Sequence, residues 1–382
     1  MPPFITRVRI KNYKSIAHCD VELGPFTVLL GLNAAGKSNF LDALHFVRDA
    51  LIRSPAEAVA SRGGIENVLC RVPEPAQKCT IALELRNAHY ELTLMRATDS
   101  DSELGVHVER EVCTLFTEEG HNHGSFQVTD GLVNNPDLAD SVLTPGMLLL
   151  PKLSTLRIYS PLYNELSGMF FYNPDLTELR DAKPTAKSTT LGENGSNLGL
   201  NLALLEPEVL KRLSAYAAAI VPGLISISST DRSGPYLAAQ MTLQTSANDE
   251  PHEFRAESMS EGTIRAIGLL TAVFQRRARN GRIPLIAIEE PELALHPLAA
   301  GVLFDALTEA STHVQVLATS QSAELFDRKE ADLGDIRIVQ ARDGVTVIGP
   351  VDPVSRSIVK DGLATVAELL RSNQLQPDSG DE

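Results

Sequence analysis

The sequence predicts an α/β fold with a central, mostly parallel sheet, an N-terminal antiparallel β portion, an inserted α/β lobe and no long coiled coil. Three observations lead there. Phe26–Leu30 is a continuous apolar run of strand length, the pattern of a strand buried on both faces, and it leads directly into Gly31. From Ser38 the period becomes helical, with Phe40, Leu41, Leu44, Val47 and Leu51 on one face and Ser54-Pro55 at the exit. Two more short apolar runs, Leu285–Ile288 and residues 314–318, end on Glu289-Glu290-Pro291 and on Thr319-Ser320-Gln321-Ser322.

The remaining elements follow in order. Residues 8–10 and 21–23 read as short strands either side of a polar turn at 11–15, and residues 80–85 and 90–94 alternate like a strand pair. Residues 99–140, rich in Gly, Asn, His and acids, predict long surface loops. Residues 201–220 carry a helical pattern that Pro222-Gly223 ends. Residues 260–279 read as one amphipathic helix, with Ile264, Ile267, Leu270 and Phe274 on its stripe and capping-box spacing at 258–261. Residues 336–340 and 346–348 flank Asp343-Gly344 as a hairpin. No segment sustains apolar heptads, and no internal repeat is found. The expected organisation is an N-terminal lobe over 1–55, an inserted lobe over 56–255, a C-terminal lobe over 256–371 and a disordered acidic tail over 372–382.

Composition limits the function classes. The 382 residues are 43% hydrophobic and 22% charged, ordinary globular values. No apolar run approaches the roughly 18 residues of a membrane helix, and the basic N-terminus lacks a secretory h-region, so a cytoplasmic protein without a membrane role is expected. Cys19, Cys70, Cys79 and Cys113 have neither CxxC spacing nor disulfide-rich density and read as reduced thiols. A net charge of −15 argues against a protein that coats nucleic acid. Any nucleic-acid contact would have to come from the dense cationic cluster at residues 276–282, for which a helix C-terminus closed by Asn280-Gly281 is the favoured reading. His121-Asn122-His123 has no third ligand nearby in sequence and is not taken as a metal site.

The chemistry sits in three places. Gly31-Leu32-Asn33-Ala34-Ala35-Gly36-Lys37-Ser38 is an intact GxxxxGK[ST] between a buried strand and a helix. Its glycines let the backbone wrap phosphates, while the loop N–H groups and the helix N-terminus supply positive potential. Lys37 is expected on the β- and γ-phosphates and the Ser38 hydroxyl on Mg²⁺, which makes ATP and Mg²⁺ the expected cofactors. Glu289 and Glu290 follow a buried strand; Glu289 is assigned to Mg²⁺ and Glu290 to activation of the attacking water. Residues 259–265, Met-Ser-Glu-Gly-Thr-Ile-Arg, start a helix at which the Ser260 hydroxyl, the small Gly262 and the helix N-terminus make an anion site.

The order of these motifs resembles that of ABC ATPases, with residues 259–265 similar to their signature. The chain resembles the AAA_21 group of ABC-type ATPases, related to RecF-like, SMC-like and OLD-family proteins. The residues that carry the resemblance are IKNYKSI before the P-loop, GLNAAGKSN, SEGTIR, EEPELALHP at 289–297, DGLATVAELL at 361–370 and LGENGSNLGL at 191–200. It implies an ABC-type ATPase head whose nucleotide is held by Gly31, Asn33, Ala34, Ala35, Gly36, Lys37, Ser38 and Asn39. Two protomers would sandwich two ATP molecules, with Ser260 and Gly262 of one meeting the γ-phosphate on Lys37 of the other. His296 would sit beyond the acidic pair, in the stretch that replaces the D-loop of transporter ATPases. Two departures from the family pattern bear on rate. Glu289 stands where Asp is usual, and Gln321 stands where the γ-phosphate-contacting switch histidine is most often found. Gln can donate a neutral hydrogen bond but cannot become cationic, so slow hydrolysis is expected.

The leading function is therefore an ATP hydrolase that opens and closes a homodimer, acting on DNA or an effector protein in DNA repair or phage defence. The alternative is an ATP-gated scaffold with little turnover that controls a partner protein. A nuclease of the OLD type is disfavoured, because 60 residues follow Ser322 and they lack the clustered acids of a TOPRIM domain.

Overall fold

The computed structural model describes residues 2–97, 105–135, 138, 146–181, 183–184, 190–231, 236–244, 246, 250–326 and 332–378. The chain forms two compact units, Pro2–Met169 with Asp332–Glu382, and Phe170–Ala331, so residues 56–255 are shared between them.

In the first unit β1 (Ile5–Tyr13) and β2 (Ile16–Glu22) pair antiparallel. Both are longer than the fragments read at 8–10 and 21–23, because the polar residues between those fragments occupy the outer face. All five residues of β3 (Phe26–Leu30) are buried, and the helix Lys37–Ile52 follows. Next come β4 (Lys78–Leu85), β5 (Ala88–Arg96), β6 (Val106–Phe116), β7 (Asn122–Thr129) and β8 (Leu132–Val133). Together these form an antiparallel sheet in the order β2-β1-β4-β5-β6-β7-β8. Residues 106–116, 122–129 and 132–133 are thus strands joined by short turns, where the sequence suggested long loops; residues 99–104, 136, 137, 139 and 140 of that stretch lie outside the described residues. On β6, Val106, Val108, Cys113 and Leu115 are buried while Glu109, Arg110 and Thr114 face outward. The polar outer face and its Gly and Asn turns dominated the composition there.

The second unit holds β9 (Phe170–Tyr172), β10 (Lys183–Pro184), β11 (Leu224–Asp231), β12 (Tyr236–Leu243) and β13 (His252–Arg255), followed by β14 (Leu285–Ile288) and β15 (Gln315–Ser320). β12 pairs antiparallel with β10, β11 and β13, whereas β14 lies between β9 and β15 with all three parallel. The helical pattern at 201–220 resolves into Leu198–Ala203 and Pro207–Ile220. The single helix expected at 260–279 is broken. Gln275 adopts φ −58°, ψ 150°, which separates Glu261–Phe274 from Arg276–Arg279.

The chain then returns to the first unit. β16 (Ile336–Arg342) runs parallel to β3, and β17 (Val345–Pro350) turns back beside β16. Asp343 and Gly344 have φ 51° and 80°, as a two-residue hairpin requires. The tail expected to be disordered is docked as far as residue 378: Leu375 is buried, Pro377 bridges to Val351, and the Gln340 amide donates to the Leu375 carbonyl at 2.8 Å. One apolar side chain and the open edge of β17 hold it, a signal a polar composition hides. Residues 379–382 lie outside the described residues.

All four cysteines are free and buried, and burial pushes the Cys19, Cys79 and Cys113 thiols up to about 12. Among the described residues no helix is long and apolar enough to cross a membrane, and no group of three or more His, Cys, Asp or Glu is placed to hold a metal.

One acid is built into this core. Glu111 on β6 is fully buried; its carboxylate accepts from the Leu149 N–H at 2.5 Å, the Leu150 N–H at 3.1 Å and the Tyr90 hydroxyl at 2.9 Å. Burial outweighs these donors and pushes the carboxyl up to about 7. The folded state thus holds the proton more tightly than the unfolded chain does. The contribution of Glu111 is fully present below the usual Glu range and is lost as pH rises toward about 7. Glu111→Gln should flatten the fall in stability between about pH 4.5 and 7, a change on the order of 3 kcal/mol read by urea unfolding at a series of pH values.

Candidate functional site

The phosphate loop is shaped by what lies beneath it. A Cβ at Gly31 would stand 2.2 Å from the Val339 carbonyl oxygen of β16, and one at Gly36 would stand 2.0 Å from the Thr346 Oγ1 of β17. Gly36 also has φ 103°, and Ala34 has φ 61°. Only glycine fits at Gly31 and Gly36, so the loop backbone can curl at van der Waals distance over the C-terminal hairpin. The Thr346 hydroxyl donates to the Ala35 carbonyl at 3.0 Å and lies 2.7 Å from the Ser15 hydroxyl, which accepts from the Asn39 amide at 2.6 Å. Ser15 and Thr346 thereby tie Ala35 of the loop and Asn39 at the start of its helix to the β-structure beneath.

Lys37 opens the helix and is 6% exposed; its ammonium donates to the carbonyls of Gly31 at 2.8 Å and Leu32 at 3.0 Å. The lysine thus lies back across its own loop, beside the backbone N–H groups that would face a phosphate. Further along the helix, Asp42 accepts from the Tyr13 hydroxyl at 2.7 Å, from Lys14 at 2.6 Å and from Arg62 at 2.8 Å. Burial tends to raise the Asp49 carboxyl, but bonds and charge from His45, Arg48 and Arg62 bring it down to about 2. These anchors hold the helix whose N-terminus faces the loop.

The second unit carries the other candidate residues. Glu289 and Glu290 follow β14, and Gln321 follows the adjacent parallel strand β15. Glu290 has φ 42°, a left-handed conformation rare outside glycine and asparagine. It is held there by its N–H, which donates to the Thr319 hydroxyl at 3.1 Å. The Gln321 side-chain amide donates to the Glu290 carboxylate at 3.2 Å. Glu292, a residue the sequence did not single out, accepts from the Ser320 hydroxyl at 2.7 Å and the Gln321 N–H at 3.3 Å. Burial raises its carboxyl, and its Oε2 has no partner among the described residues.

The helix start at residue 260 meets the segment after the acidic pair. The Ser260 hydroxyl accepts from the Thr263 N–H at 3.2 Å, and Ser260 is exposed at the helix N-terminus. A Cβ on Gly262 would stand 2.4 Å from the Ala294 carbonyl oxygen, so the glycine lets two backbones touch. His296 caps the next helix, Pro297–Ala310, accepting the Leu298 N–H on its Nδ1 at 3.3 Å.

In summary of placement, Gly31, Asn33, Ala34, Ala35, Gly36, Lys37, Ser38 and Asn39 lie together in the first unit. Glu289, Glu290, Gln321, Ser260 and Gly262 lie in the second. The missed residues Thr346, Thr319 and Glu292 give no local signal, because their partners are 311, 29 and 28 residues away in sequence.

Two family models match the chain: an AAA ATPase domain over residues 4–108, and an AAA domain described as putative AbiEii toxin, Type IV TA system, over residues 155–327. The Old nuclease of Escherichia phage P2 is 24% identical over 355 residues, covering 86% of this chain. The match spans 58% of that nuclease's own length. Among solved structures, an Smc head bound to the C-winged helix domain of ScpA aligns over 93% of this chain and 99% of its own, with TM-score 0.52 and 17% identity. An Smc head with an extended coiled coil, bound to the C-terminal domain of ScpA and derived from Pyrococcus furiosus, aligns over 95% and 100%, with TM-score 0.48 and 15% identity.

Two substitutions test the close contacts. Thr346→Val should cost about 1–3 kcal/mol in urea unfolding, because the buried Ala35 carbonyl loses its donor, and should weaken binding of a fluorescent ATP analogue. Gly262→Ala should cost about 1–3 kcal/mol by overpacking against Ala294 and should lower ATP turnover with it.

Proposed function

We propose that this chain, an ABC-type ATPase of the RecF, SMC and OLD kind, is a slow Mg²⁺-dependent ATP hydrolase that works as a nucleotide-driven dimerising switch. The observation that carries this reading is the hydrogen bond between Gln321 and Glu290 at the ends of neighbouring parallel strands. It pairs a carboxylate suited to orient and deprotonate water with an amide suited to sense a γ-phosphate.

The P-loop supplies the phosphate grip: loop N–H groups, the helix N-terminus and the Lys37 ammonium favour the β- and γ-phosphates. Mg²⁺ would be held by the Ser38 hydroxyl and by Glu289. Mg²⁺ takes one or two protein ligands and completes its shell with phosphate oxygens and water, so two such side chains suffice. When bound, the ion neutralises charge developing on the phosphates. Glu290 then acts on the water, its strained backbone fixing the direction of the carboxylate.

Dimerisation is supported by the exposed Ser260 and by the exposed apolar side chains Leu293 and Leu298, which are 47% and 80% accessible. Ser260 at an open helix N-terminus can complete its anion site on a phosphate brought by a second copy. The likeness to a phage nuclease, and to an Smc head bound to ScpA, supports DNA or a partner protein as the load, with DNA repair or phage defence in the cytoplasm as the proposed setting. Gln321 in place of a histidine also supports a second reading, an ATP-gated scaffold with little turnover. It keeps the Glu290 carboxylate engaged and brings no cationic group to the phosphate.

ATP turnover measured across protein concentrations separates the two readings. The hydrolase reading expects a rate per protomer that rises with concentration yet stays below about 1 s⁻¹, the low end of ordinary enzymes. Lys37→Ala should abolish it, and Glu290→Gln should lower it by about 10²–10⁴-fold while trapping an ATP-bound dimer on size exclusion. Tight ATP binding and dimerisation with no turnover above the Glu290→Gln background would establish the scaffold instead.

A further inference from the structure

The break in the signature helix opens a second site. Because Gln275 leaves helical geometry, the chain turns into the short helix Arg276–Arg279, capped by Asn280, and reaches Arg282 after Gly281 at φ 68°. A pocket of about 280 Å³ lies here, lined by Gln275, Arg276, Arg277 and Arg282, with Asn201 from the helix Leu198–Ala203 and Leu204, which follows that helix. We propose that it binds a nucleoside phosphate, using none of the P-loop's residues.

Three features carry the proposal. Three arginines line one pocket in a chain whose net charge is −15. Arg277 donates to the Thr190 hydroxyl at 3.0 Å, and the neighbouring Arg279 pairs with Glu206 at 3.1 Å. Among the described residues, the side chains of Arg276 and Arg282 make no hydrogen bond or ion pair. Arginines that line one pocket with no carboxylate partner among the described residues leave their donors open to an anion able to take bidentate bonds.

The second feature is Gln275, which is 2% exposed and donates its amide to the Ala272 carbonyl at 2.9 Å, while its Oε1 has no partner. A buried acceptor left unsatisfied costs about 1–3 kcal/mol, so the site favours a ligand carrying a donor as well as a phosphate. The third is size and lining. The volume lies at the lower edge of the about 300–1,000 Å³ of small-molecule pockets, and Leu204 adds apolar surface that a bare phosphate would not use. A phosphate joined to a sugar and base meets all three demands. Its source is either a free nucleotide or the end of a nucleic-acid strand.

The test uses the full chain carrying Lys37→Ala, which removes the P-loop's grip, and measures binding without hydrolysis. Its failure is therefore distinct from failure of the ATPase reading. The probes are dTMP and a 5′-phosphorylated hexathymidylate, titrated by calorimetry at several salt concentrations. One-site binding is expected, weakened tenfold or more by Arg276→Ala with Arg282→Ala. For the strand, loss of two cations should reduce the salt slope by about 1.4. Gln275→Met should weaken binding without lowering the melting temperature, which a purely structural glutamine would not do. Equal affinity for both probes assigns the pocket to free nucleotides, and a preference for the hexamer assigns it to strand ends. Failure of both probes to bind, or binding unchanged by the double arginine substitution, would overturn the proposal.

Discussion

The closest physical constraint in the molecule is the contact between the phosphate loop and the hairpin formed by β16 and β17. Gly31 and Gly36 sit where any side chain would drive into Val339 or Thr346. The loop therefore takes its shape from residues more than 300 positions later in the chain. This explains why the first unit contains both ends of the sequence. The backbone of this loop curls over the folded C-terminal hairpin, and the docked tail through residue 378 braces that hairpin along β17. A loop that must present several N–H groups at once gains from such support, since each misdirected donor is one fewer for the phosphates.

The same dependence decides what was legible in the sequence. The strand β3, the loop and its helix were readable because their signal is local: an apolar run, a glycine-rich turn and a helical period. The acidic end of β14 and the hairpin at Asp343-Gly344 were readable for the same reason. What escaped was set by distant contacts. Glu109, Arg110 and His107 made β6 look like a loop, although Val106, Val108, Cys113 and Leu115 bury its other face. One buried leucine, Leu375, orders a tail whose composition is otherwise polar. Gln275 has a good helix propensity, yet its backbone leaves the helical region and the helix breaks there.

At the candidate site, residue types were readable but their physical states were not. Glu290 was legible as an acid after a strand; its left-handed backbone and the Thr319 hydroxyl that holds it were not. That strain costs free energy of order 1–3 kcal/mol and persists only where neighbours fix it, which is the behaviour of a group whose direction matters. Glu292 is the counterpart. It ties Ser320 and the Gln321 N–H to the segment after β14, so Gln321 is held from its backbone as well as through its side chain. Gln321 is thereby coupled to two carboxylates of one segment, and any ligand that draws Glu290 away must also act on Gln321.

Charge gives the last constraint. A chain at −15 disfavours polyanions except where cations are gathered locally, and coulombic attraction to a distant phosphate is screened within about 8 Å at physiological salt. The acidic surface thus does not oppose a phosphate already inside a guanidinium-lined pocket; it excludes the extended, non-specific contacts by which basic proteins coat nucleic acid. A protein of this balance reads phosphates one at a time, at built sites. In the proposed function the P-loop would do so with backbone N–H groups and one lysine, and the proposed pocket beyond Gln275 with arginine side chains. The backbone cradle is a geometric device that tolerates almost no substitution at its glycines, whereas an arginine pocket can be retuned residue by residue. The first is suited to a fixed chemical step, and the second to the choice of what that step responds to.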